Sequence, residues 1–195
     1  MTAKNDIRQS TNVLPVRAHP LVFGVVLFLS SELMFFAGLF AAYFTLRANR
    51  AAWPPADVHL NVVESSVGTG LLFLSSAFMI LMTRSLDHRQ ERAARAWTGA
   101  AIVAAVSFVV LSIHGYLANT FTISTSAYGS IYYTMTGFHL IHVAAGIGLL
   151  CALLIGLRSP ALTANRRAGA EAMMYYWHFV FVVWVAIWST IYFIR

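Results

Sequence analysis

The sequence predicts an all-α integral membrane protein, a bundle of five transmembrane helices, and three observations carry that reading. Of its 195 residues, 59% are hydrophobic and only 10% are charged, whereas a soluble domain keeps roughly a quarter of its residues charged. Five apolar stretches each supply the roughly 20 residues that a helix rising 1.5 Å per residue needs to cross a hydrocarbon core of about 30 Å. None of them alternates polar and apolar residues as barrel strands do. Helices therefore satisfy the backbone groups within the membrane.

The first span, residues 21–46, follows a polar tail (residues 1–20) and lacks an Ala-x-Ala end, so it reads as a retained helix rather than a cleaved leader. The second, 62–82, carries Gly68, Gly70, Ser75 and Ser76, small residues that permit close helix contact in lipid. The third, 97–117, ends near His114, which is expected to stand apart from the other histidines. The fourth, 131–157, holds His139 and His142, then the small residues Ala144, Ala145, Gly146 and Gly148. Its Cys151, the single cysteine, reads as a buried, inert thiol and excludes an internal disulfide. The fifth, 172–194, contains His178. Aromatics near span ends (Trp53, Trp97, Tyr132, Tyr133, Tyr175, Tyr176, Trp177, Tyr192) suit the membrane–water interface. Phe28-Leu29-Ser30-Ser31 recurs as Phe73-Leu74-Ser75-Ser76, but in spans of opposite direction, and reads as coincidence. The whole chain, 1–195, is taken as one transmembrane domain.

The net charge is +6. The cations are scattered through short loops with no basic helix face, which argues for topology determinants beside anionic headgroups and against a nucleic-acid partner. Five spans put Lys4, Arg8, Arg17, Arg84, Arg89, Arg92, Arg95, Arg158, Arg166 and Arg167 on one side and leave Arg47, Arg50 and Arg195 on the other. Ten against three is a positive-inside signal: the amino terminus is expected to be cytoplasmic and the carboxyl terminus outside.

Within the membrane the informative residue is Glu32. A carboxylate at mid-bilayer costs at least about 2–3 kcal/mol and usually faces the bundle interior. Glu64 and Glu171 fall near span ends, where water can solvate them, and Asp6, Asp57, Asp87 and Glu91 fall in loops or the tail. On an ideal rise, Glu32 lies about 17 Å from the cytoplasmic boundary, with His139 and His142 at about 18 and 14 Å and His178 at about 9 Å. Glu32, His139 and His142 therefore share a level, and the two histidines, at i and i+3, leave one helix face. Such a group can be a proton relay, a metal site or a hydrogen-bonded cluster that fixes helix packing. No phosphate loop, nucleophile elbow or CxxCH haem attachment is present. No catalytic residue and no metal site are assigned from spacing.

From about His19 to Arg195 the chain resembles the subunit III family of cytochrome c oxidase and related haem–copper oxidases. The residues that carry the resemblance are Phe28-Leu29-Ser30-Ser31-Glu32-Leu33-Met34-Phe35-Phe36-Ala37-Gly38-Leu39-Phe40, Trp53-Pro54-Pro55, and Leu60-Asn61 with Glu64. Ser126-Ala127-Tyr128-Gly129-Ser130, Thr136-Gly137-Phe138-His139 with His142-Val143, and Tyr176-Trp177-His178-Phe179 add to it. The carboxyl-terminal Ile191-Tyr192-Phe193-Ile194-Arg195 is similar to actinobacterial members. The resemblance implies the five-span bacterial form of a hetero-oligomeric, proton-pumping oxidase of the cell membrane. It implies no haem or copper on this chain, both being expected in partner catalytic subunits, with oxidase subunits I and II and structural phospholipids as partners. Its implied role is to support dioxygen access, proton uptake and complex stability, with Glu32, His139, His142 and His178 in a polar cluster at a lipid cleft.

Two departures from the family pattern stand out. Phe181 occupies the place of an aspartate after Trp-His-Phe-Val, and Ser112-Ile113-His114-Gly115-Tyr116 replaces a Gln…Glu-Tyr ending, each removing a polar partner. The alternatives are an accessory subunit of a nitric oxide reductase and an independent proton-coupled transporter using Glu32. The transporter reading lacks a convincing repeat, and the helix breakers Pro54, Pro55 and Pro160 fall in loops.

Overall fold

A computed structural model describes residues 20–55, 58, 60–158 and 166–194. The tail with Lys4, Asp6, Arg8, Arg17 and His19, together with Asp57, Pro160 and Arg195, lies outside the described residues. Five helices follow in order: α1 Pro20–Ala48, α2 Val62–Asp87, α3 Glu91–Ala118, α4 Ala127–Gly156 and α5 Arg166–Tyr192. All five are long and apolar enough to cross a membrane, and no strand occurs among the described residues.

The helices outrun the predicted spans, because hydrogen bonding continues into water after the apolar run has ended. α3 starts six residues before Trp97, at Glu91, and α5 starts at Arg166 rather than Ala172. Caps set several ends. Asn61 Oδ1 accepts from the Glu64 amide at 3.2 Å, while its Nδ2 donates to the Glu64 carboxyl at 3.3 Å, a reciprocal cap on α2. Ser126 Oγ accepts from the Gly129 amide at 3.1 Å and opens α4. α2 closes with the Gln90 amide on Ser85 O (2.8 Å) and the Arg89 amide on Leu86 O (3.0 Å). That paired ending needs a left-handed residue, and Arg89 supplies it at φ 57°.

α2 and α3 form the closest pair. Gly68, Leu72, Ser75, Met79 and Met82 are buried on one, and Ala94, Thr98, Ala101, Ala105 and Phe108 on the other. Both sets step by four and three, the heptad spacing of a seam between two packed helices. The small side chains of α3 let the backbones approach, and Ser75 Oγ donates across the seam to Ala101 O at 2.9 Å. α5 packs on α2, α4 and α1, and α4 also packs on α3 and α1.

α1 lies at the edge, with Phe36 and Tyr43 its buried residues. Tyr43 OH donates to Thr190 O on α5 at 3.3 Å. At the Trp53 end, that indole lies between Tyr43 and Tyr128, with ring centroids 5.4 and 5.1 Å away, and the Trp53–Pro54 peptide is cis. At the opposite end Arg167 bridges Asp87 at 3.1 Å and Glu171 at 3.0 Å, joining the start of α5 to the end of α2.

Several expectations require correction. Cys151 is exposed, not buried. A helix apolar on every side has no need to turn a thiol inward when its outer face meets lipid. Tyr132, Tyr176 and Trp177 are buried within the bundle, and Tyr176 OH and Trp177 Nε1 find protein acceptors there. Among the small residues, Gly68, Ser75, Ser76 and Gly146 do lie in helix contacts, whereas Gly70, Ala144, Ala145 and Gly148 face outward.

Candidate functional site

Glu32 leaves α1 toward α4 and meets His142, with Oε2 2.9 Å from Nε2. Both side chains are largely enclosed, 20% and 16% exposed respectively. The other imidazole nitrogen, Nδ1, lies 2.7 Å from the Phe138 carbonyl one turn back in the same helix. A carbonyl only accepts, so Nδ1 must carry a hydrogen. One further proton then lies between Nε2 and the carboxyl. The pair is either a neutral acid donating to a neutral imidazole or a carboxylate accepting from an imidazolium, and the two forms differ by one short proton movement. Phe36 packs on the imidazole at 5.2 Å between centroids. Tyr176 OH donates to the His142 carbonyl at 2.9 Å and ties α5 to the same turn of α4.

His139 belongs to a different environment although it is only three residues away. It is 1% exposed and its Nε2 lies 3.0 Å from the Val180 carbonyl of α5, so Nε2 carries the hydrogen. Its ring lies against Trp184 at 4.9 Å, with Phe108 edge-on at 6.0 Å. His178 Nδ1 donates to Met174 O in its own helix at 2.8 Å. Among the described residues, no hydrogen bond joins His178 or His139 to Glu32 or His142. The four residues singled out from the sequence thus resolve into one bonded pair, Glu32–His142, and two histidines held separately by backbone carbonyls. Among the described residues, no three His, Cys, Asp or Glu side chains stand together as metal ligands would.

Two further arrangements escaped the sequence reading. Trp177 Nε1 donates to Ser75 Oγ and Trp184 Nε1 to Thr69 Oγ1, both at 2.9 Å. Buried indoles need such acceptors, and two tryptophans seven residues apart facing hydroxyls six apart on α2 was the available signal. The second is a hydrogen-bonded pair, Glu64 and His114, 2.7 Å apart, with side chains 14% and 71% exposed. His114 does stand apart from Glu32 and His142, but it has a partner of its own. A Cβ added at Gly115 would lie 3.9 Å from Glu64 Oε1. The Glu64 carboxyl of α2 therefore stands beside Gly115, at the departure in the third span. Phe181, at the other departure, lies against Phe73 at 5.9 Å, so an apolar contact between α5 and α2 stands where a polar partner was expected.

Comparison with known proteins matches residues 7–195 to the family model described as cytochrome c oxidase subunit III. The cytochrome c oxidase subunit 3 of Corynebacterium diphtheriae is 38% identical over 178 residues, covering 88% of this chain and 87% of the relative. The probable cytochrome c oxidase subunit 3 of Mycobacterium tuberculosis is 37% identical over 177 residues, with the same coverage of both chains. A third relative, the cytochrome c oxidase subunit 3 of Thermostichus vulcanus, is 31% identical over 173 residues, 88% of this chain and 86% of its own.

Proposed function

The chain belongs to the cytochrome c oxidase subunit III family, and from that membership we propose that it supports a dioxygen-reducing, proton-pumping complex without carrying its redox chemistry. The observation that carries the supporting role is the Glu32–His142 pair, a membrane-embedded acid and imidazole joining α1 to α4 with no third ligand group beside them among the described residues. His142 uses both nitrogens, and His139 spends Nε2 on Val180. From the family membership, haem and copper are assigned to partner subunits I and II, with phospholipid along the exposed faces of α1. The relatives matched above carry oxidase names, which favours this reading over a nitric oxide reductase accessory subunit or a free transporter.

Extraction of native membranes in mild detergent tests it. The chain should copurify with haem and copper at the stoichiometry of an oxidase, and when separated it should show no Soret band. Recovery as a lone oligomer, or a stoichiometric metal on the separated chain, overturns the proposal.

The proposed orientation puts the amino terminus and the Arg84–Arg95 end in the cytoplasm, on the strength of the ten-to-three division of cations. A reporter active only outside should work when fused after Arg195 and stay silent in the loop at His88–Gln90. The reverse pattern rejects this orientation.

A further inference from the structure

A cavity of about 180 Å³ runs between α2, α3, α4 and α5, from Asn61, Glu64 and His114 at one end of the bundle to His139 and Trp184 within it. His139 is twelve residues into α4, about 18 Å along the helix. The mouth is polar by construction: Asn61 caps α2, Glu64 pairs with His114, and Gly115 leaves the carboxyl its place.

The inner end is where the structure poses a question. Because Nε2 of His139 donates to Val180, Nδ1 is a bare acceptor, and among the described residues this buried atom has no hydrogen-bond partner. A buried polar atom without a partner is costly and therefore rare. Water fills such places when the space is polar and offers room, each molecule taking about 30 Å³. Thr136, which also lines the cavity, donates to Tyr132 O at 2.6 Å and has the Tyr116 hydroxyl beside it. Nδ1 of His139 asks for a hydrogen-bond donor, and the cavity has space for several waters.

We propose that this cavity is a water-filled site entered past Glu64 and His114, and that its innermost water donates a hydrogen bond to Nδ1 of His139. His139 is thereby in contact with one aqueous phase. His142 and Glu32, at a similar depth, do not line the cavity and face each other between α4 and α1 instead. Two imidazoles three residues apart thus serve different neighbours of α4.

The site is defined by the end of the bundle at which it opens, not by the orientation proposed above, and the test keeps the two separate. In a Cys151→Ser background, Ser112→Cys and Thr136→Cys are placed in the cavity lining. Val110→Cys is placed on the outer face, where Val110 is 61% exposed. Ser124→Cys and His88→Cys mark the two ends of the bundle. Right-side-out and inverted native membrane vesicles are treated with a small charged methanethiosulfonate. Ser112→Cys and Thr136→Cys should react from whichever side labels Ser124→Cys, while Val110→Cys stays unlabelled in lipid. If Ser124→Cys labels from the cytoplasmic side, the orientation is wrong and the cavity stands. Absence of reaction at both cavity positions, or reaction only from the His88 side, overturns the site.

A second measurement needs no substitution. Carbonyl-¹³C phenylalanine with ¹⁵N histidine singles out Phe138–His139, the one Phe-His pair in the sequence. In water-edited solid-state spectra, the His139 ring should gain intensity from mobile water before the His142 ring does. Equal silence at both rings overturns the proposal.

Discussion

Replacing Gly146 with leucine is expected to force α4 away from α5 and release the subunit from its complex. A Cβ at this position would lie 2.5 Å from Trp177 Cζ3, 2.9 Å from Cε3 and 3.0 Å from Tyr176 Cε1, closer than packed carbons come. The tryptophan ring has little freedom to retreat, since Nε1 is bonded to Ser75 Oγ and that hydroxyl to Ala101 O. The tyrosine is likewise held, by its bond to the His142 carbonyl. Gly146→Ala should cost about 1–3 kcal/mol, the usual penalty for overpacking, and Gly146→Leu substantially more. Gly148→Ala is the matched control, because a Cβ there meets nothing within 4 Å. Thermal unfolding of the solubilised protein and retention of the chain through purification are the measurements. If Gly146→Ala unfolds at the same temperature as Gly148→Ala, the close approach is not a constraint.

Substitution of Glu32 separates support from chemistry. Glu32→Gln keeps a side chain that can donate to, or accept from, His142 Nε2, so the α1–α4 bond survives in either protonation form. Glu32→Ala leaves that nitrogen enclosed without a partner, at a cost of about 1–3 kcal/mol. It loosens a helix whose interior contacts rest on few residues, Phe36 and Tyr43 being its buried ones. At matched expression, the glutamine variant should show initial dioxygen consumption close to the parent. The alanine variant should lose subunit on washing and lose activity sooner. Abolition of dioxygen reduction by Glu32→Gln from the first turnover, in an intact complex, would place Glu32 on an obligatory proton path instead.

Hydropathy made the five spans legible, and the cost of burying a carboxyl singled out Glu32, because both depend on composition along one helix. What remained hidden depends on rotation about the helix axes. His139 and His142 share a face in the sense that 3.6 residues make a turn, yet they still differ by about 60°. In a packed bundle that is enough to give one of them α5 and the other α1. The seam between α2 and α3 was readable as steps of four and three through Ala94, Thr98, Ala101, Ala105 and Phe108. It was masked because alanine is equally at home in lipid. Glu64 and His114 are fifty residues apart, and nothing local to either announces the other. Cys151 misled for the same reason as the alanines: an apolar run has no preferred inside when the solvent is hydrocarbon.

The placement of the two indole donors also orders the birth of the bundle. A chain emerges from its amino terminus, so α2 and α3 can zip along their seam, Ser75 finding Ala101, while α5 is still unmade. Trp177 and Trp184 come late, and so do Tyr176, Val180 and Thr190, the α5 residues that tie it to α4 and α1. Until they are inserted, α1 has only α4 to lean on, and the acceptors on Ser75 and Thr69 wait unfilled. The last of these five helices is the keystone, and a ribosome that stops after Gly156 leaves an arch without one.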